Sequence, residues 1–83
     1  MEALLVTLPH CTPCDELMEA LGYNIPKDVK VVVGTPENYH ILAENNAFIE
    51  INGELHVGAP LLVTKDGRRV GGVQKILEEL KRE

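Results

Sequence analysis

The sequence has no excess of basic residues, no long apolar run, and only two cysteines in 83 residues. Each shortage removes a class of function. Eight lysines and arginines against 13 aspartates and glutamates leave a net charge of -5. No basic stripe is available to neutralise phosphates, so neither nucleic acid nor an anionic membrane surface is an expected partner. The apolar run at residues 3–8 has no basic segment before it and stops at Pro9. It is too short to cross a bilayer and lacks the layout of a secretion signal, so the chain is expected to be cytoplasmic. Two cysteines are also too few for the disulfide scaffold of a small secreted domain. A crosslink between Cys11 and Cys14 would enclose only Thr12 and Pro13, and the stabilisation from a crosslink grows with the length of the loop it closes. The pair is expected to act by chemistry.

What is present is the composition of a folded domain, 45% apolar and 25% charged, with neither internal repeat nor linker. The length implies a single domain over residues 1–83, burying about 60–65% of the surface its unfolded chain would expose. Segments "ALLVTL" (3–8) and "VKVVV" (29–33) are nearly continuous in apolar character, as expected of central parallel strands covered on both faces. Between them Cys14, Leu17, Met18 and Leu21 fall at the spacing of one buried helix stripe, with Gly22 at the C-terminal cap position. Strand, helix and strand in that order form a right-handed crossover.

Thr35 and Pro36 predict the cap and first turn of a second helix running to about residue 45 or 46. Asn52-Gly53, between short alternating runs, predicts an additional hairpin over 48–57. An apolar strand at 61–64, a turn at 65–67 and a strand ending at Gly71-Gly72 predict an antiparallel pair. Val73, Ile76, Leu77 and Leu80 then mark a final helix. The expected fold class is α/β: βαβ, α, hairpin, ββα around one mixed four-stranded sheet with helices on both faces.

The stretch "LPHCTPCDEL" carries the chemistry. Cys11 falls at a helix N-terminus, where unpaired N–H groups and the macrodipole favour a thiolate. Cys14 opens the buried stripe one turn deeper, where it is placed to attack Cys11 and resolve a mixed disulfide. Pro13 costs no hydrogen bond in the first turn and stiffens it. His10, if protonated, would favour the thiolate, whereas Asp15 and Glu16 oppose it.

"CTPC" after the first strand, "GAP" before a later strand and "VGG" before the last helix together resemble the glutaredoxin and thioredoxin superfamily, and a small glutaredoxin most of all. The resemblance covers essentially the whole chain. It implies a thioredoxin-like fold and a dithiol–disulfide oxidoreductase or electron carrier with no bound cofactor or metal. It also implies that Pro60 is a cis proline beside the dithiol, that the Ala59 backbone pairs with substrate, and that Gly71 and Gly72 let glutathione approach.

Glutaredoxins usually carry a tyrosine between the cysteines, a lysine shortly before them and an acidic residue two positions after the Gly-Gly pair. Here those places read Pro13, "TLPH" and Gln74. With the charged anchors missing, the expected substrates are protein disulfides. The electron donor implied is glutathione or a flavin-dependent thioredoxin-type reductase, and the chain is expected to be a monomer.

Two other classes compete. Cys11 and Cys14 would serve a metal module, either with histidines around zinc or with a second chain around a shared iron–sulfur cluster. Against this, His40 and His56 lie in unrelated segments and His10 adjoins Cys11 too closely for the usual spacing. In the third class, a redox-regulated interaction protein, the "GAP" edge binds a partner in one oxidation state only.

Overall fold

A computed structural model describes residues 3–81. The elements run β1 (Ala3–Thr7), α1 (Thr12–Ala20), β2 (Val29–Val33), a 3₁₀ turn (Pro36–Asn38), α2 (Tyr39–Glu44), β3 (Phe48–Ile51), β4 (Glu54–Val57), β5 (Leu61–Val63), β6 (Arg69–Gly71) and α3 (Val73–Lys81). Four strands form a mixed sheet in the order β2-β1-β5-β6, with β1 parallel to β2 and the other pairs antiparallel.

β1 is the spine. Its alternate side chains divide between two cores, as the two-residue period of a strand requires. Ala3 and Leu5, with Val29 and Leu62, pack against Leu17 of α1 and Ile76 and Leu80 of α3. Leu4 and Val6, with Val32, Leu61 and Val63, pack against Leu42 of α2 and against Ala47. Helices therefore cover both faces. Among the described residues no helix is long and apolar enough to cross a membrane.

Two expectations need correction. β2 is an edge strand, not a central one: α1 and α3 pack together over the middle of the sheet, leaving Val31 and Val33 about 40% exposed. Thr35 occupies a cap position but makes no side-chain capping bond, and the helix it precedes opens as a 3₁₀ turn. Only Tyr39–Glu44 is α-helical, ending before Asn46 at φ 54. The additional hairpin expected over 48–57 is present, and β3 and β4 form it as a two-stranded sheet separate from the four-stranded one. Its two-residue turn places Asn52 at φ 51 and Gly53 at φ 81, the left-handed pair that a twisted hairpin requires and that Asn-Gly adopts readily. It forms its own sheet because Phe48 and Val57 turn toward the second core while both strand edges miss the main ladder.

The β5–β6 turn is tied down at both sides. Arg68 N–H donates to Thr64 Oγ1 at 3.0 Å and the Arg68 guanidinium pairs with Asp66 and with Glu79 of α3. Lys65 pairs with Asp28, ahead of β2.

Leu17 is fully buried between α1 and the sheet. Truncation to alanine removes its contacts and leaves a cavity, so Leu17→Ala is expected to lower unfolding free energy by about 3 kcal/mol in urea titration, with an unchanged slope.

Candidate functional site

The connection from β1 to α1 takes four residues, 8–11. His10 turns the chain in the left-handed region at φ 56, and Cys11 follows in extended conformation as the N-cap of α1. The first helical bond runs from Asp15 N–H to Cys11 O at 3.0 Å. Pro13 sits at the second helical position, exposed, where its missing N–H has no intrahelical partner to lose. The Cys11 sulfur therefore lies at the positive end of the helix, and Cys11 is half-buried.

Cys14 is 3% exposed. Burial first, and then its hydrogen bond toward the Cys11 sulfur, push its thiol up to about 11, with the nearby charges of Cys11 and Asp15 adding to the rise. A backbone hydrogen bond from Leu8 works the other way. The two cysteines are thus partners and unlike: Cys11 is half-buried, and Cys14 is buried and held as a protonated thiol.

The sheet register brings the rest of the site to the same end. Val6 is opposite Leu61, and Leu61 is opposite Gly71, so the end of β1, the entry to β5 and the end of β6 converge. The Ala59–Pro60 peptide is cis, Pro60 is buried, and the Cys11 thiol makes a weak 3.9 Å contact with the Ala59 carbonyl oxygen.

Gly72 has φ 93, a conformation costly for any residue with a Cβ, and its carbonyl accepts the first bond of α3 from Ile76 N–H at 3.0 Å. A Cβ on Gly71 or Gly72 would meet nothing within 4 Å. Turn geometry therefore accounts for Gly72, and the space beside both glycines is open.

The remaining candidates fall outside this group. His10 is exposed; His40 is exposed on α2, and His56 is exposed on β4, 3.6 Å from Glu54. Among the described residues no three His, Cys, Asp or Glu side chains gather to hold a metal, so zinc bound by the two thiols and a histidine of the same chain lacks its third ligand. Sequence reasoning missed the Leu8 backbone as a partner of Cys14. A main-chain contact of this kind leaves no mark in residue identity.

The fold and site define an α/β domain carrying a dithiol at a helix N-terminus. Compared with family models, curated proteins and solved structures, the chain matches none of them.

The raised Cys14 thiol gives a signed pH test. Folding favours the protonated form, so its stabilising contribution is present below about pH 9 and is lost as pH rises toward about 11. Wild type should lose stability across that window in denaturant titrations, and Cys14→Ser should lose less. Removing the partner sulfur in Cys11→Ala should shift the pH profile of Cys14 alkylation to lower pH.

Proposed function

We propose that the chain is a cytoplasmic dithiol–disulfide oxidoreductase of thioredoxin-like fold, similar to the small glutaredoxins, that reduces protein disulfides through Cys11 and Cys14. The observation that carries this reading is the asymmetry of the pair. Half-buried Cys11 caps the helix, while Cys14, buried and hydrogen-bonded to it, is kept protonated.

In the reaction the Cys11 thiolate attacks one sulfur of the substrate disulfide. The substrate S–S bond breaks, a mixed disulfide forms, and the second substrate sulfur leaves as a thiolate that takes up a proton. Cys14 then loses its proton and attacks the Cys11 sulfur, which releases the first substrate sulfur. Two electrons pass to the substrate, whose two sulfurs take up one proton from Cys14 and one from solvent: one disulfide becomes two thiols, and Cys11 and Cys14 become a disulfide.

Burial of Cys14 suits the order of events. A thiol held protonated does not compete for the first attack, and the mixed disulfide removes the Cys11 charge that opposed its ionisation. The cis Ala59–Pro60 segment beside Cys11 offers backbone groups to an extended substrate. With "TLPH" where glutaredoxins carry a lysine before the cysteines, and Gln74 where they carry an acidic residue, the site lacks their two charged anchors for glutathione, which favours protein disulfides as substrates. Glutathione or a flavin-dependent reductase then restores the dithiol, with no bound cofactor, and the chain acts as a monomer.

Trapping tests the assignment. Cys14→Ser should accumulate a mixed disulfide with a disulfide-bonded protein, seen by intact mass, while Cys11→Ser should form none and lose turnover. A stable adduct on Cys14 in the Cys11 variant, or no adduct in either, would overturn it. With donor present, wild type should reduce many equivalents of disulfide; arrest after one equivalent would instead indicate a redox switch.

A further inference from the structure

The separate β3–β4 hairpin has one side occupied and one side open. Its two-residue turn makes Ile51 and Glu54 the closing hydrogen-bonded pair, and bonded pairs alternate along an antiparallel ladder. Glu50–Leu55 and Phe48–Val57 are then the pairs whose backbone groups point outward. On the β3 side, the Phe48 carbonyl accepts from Arg69 Nη1 at 2.8 Å. On the β4 side, the outward groups of Leu55 and Val57 have no hydrogen-bond partner among the described residues.

Leu55 gives the open strand an exposed apolar side chain that also reaches a cleft on the face it shares with Phe48 and Glu50 of β3. Leu55 is 66% exposed and lines a cleft of about 290 Å³ with Ala43, Phe48, Asn46, Glu50 and Arg69. Two glycines let the hairpin lie close to the rest of the fold: a Cβ on Gly34 would fall 2.5 Å from Val57 and 3.4 Å from Leu8, and one on Gly58 would overlap Ile49. Val57 is thereby set near the residue that opens the loop to Cys11.

The edge also leads to the dithiol. β4 ends at Val57, and Ala59, two residues on, holds the carbonyl that contacts Cys11. From Leu55 to Ala59 is four residues, about 13 Å of extended chain.

We propose that the outer edge of β4, from Leu55 to Ala59, is a docking strip on which an extended segment of the disulfide-bearing substrate protein adds as a further strand, with an apolar side chain seated beside Leu55 in the cleft. This rests on the oxidoreductase reading. Continuity selects the occupant: a segment paired along this strip is led to Cys11, so the chain that docks is the chain whose disulfide is exchanged. Main-chain bonds supply affinity, and the residue meeting Leu55 supplies selectivity.

Peptides with one cysteine in a disulfide to 2-mercaptoethanol test the strip. One carries leucine, and its companion serine, four residues to either side of the cysteine. Pre-reduced wild type should reduce the leucine peptide about tenfold more efficiently in kcat/KM than the serine peptide, the scale of one buried apolar anchor.

Leu55→Asp should abolish that preference and leave the rate with bis(2-hydroxyethyl) disulfide within about twofold of wild type, since only docking is lost. Ile51→Asp, exposed on the opposite hairpin face, should keep the preference. Equal rates for the two peptides with wild type, or a preference that survives Leu55→Asp, would overturn the strip. So would sedimentation showing that wild type is a dimer dissociated by Leu55→Asp, which would make a second copy the occupant. Failure to reduce even bis(2-hydroxyethyl) disulfide would overturn the oxidoreductase reading instead.

Discussion

The placement of the two thiols depends on a short covalent link between a strand buried on both faces and the first turn of a helix. β1 cannot shift its register without exposing one of the two cores it serves, because a one-residue slip moves every side chain to the other face. α1 is held by Leu17, which is fully buried. With both ends fixed, the four residues between them have little freedom, and His10 takes a left-handed conformation to make the turn. The position of Cys11 at the cap, and of Cys14 against the Leu8 backbone, follows from packing some distance from either sulfur.

Much of this was legible in the order of residues, because it rests on periodicity. The stripe Cys14, Leu17, Met18, Leu21 identified α1 and its buried face, and Val73, Ile76, Leu77, Leu80 identified α3; Cys14, Leu17, Ile76 and Leu80 are buried. Asn52-Gly53 marked its hairpin because few dipeptides accept two successive positive φ values.

The misjudged features depend on distant neighbours. "VKVVV" reads as a central strand on composition, yet among the described residues no strand pairs with its outer side. Thr35 has the right side chain for a cap, yet the local helix opens as a tighter turn. At the site, the cysteine spacing announced the dithiol. The contact between Cys11 and the Ala59 carbonyl spans 48 positions in sequence and was expected only through a family resemblance.

The hairpin shows how a small fold gains surface without enlarging its core. The two clusters of buried side chains are complete without Ile51 or Leu55, and both remain exposed. Only Phe48 and Val57 anchor the hairpin to the apolar interior, helped by glycines at 34 and 58. Substitutions toward the turn therefore alter an outer surface more than they alter stability, whereas substitutions at the anchored end reach the second core.

The buried thiol also sets how the sulfur pair responds to acidity. In the proposed cycle, with the Cys14 thiol pushed up to about 11 by burial, at least one proton would enter with every electron pair that opens a Cys11–Cys14 bond at lower pH. The midpoint voltage of that couple would then become more negative by at least about 30 mV for each pH unit, the Nernst slope for one proton and two electrons. Alkaline surroundings make the reduced form a stronger donor, and the gradient persists well beyond neutrality.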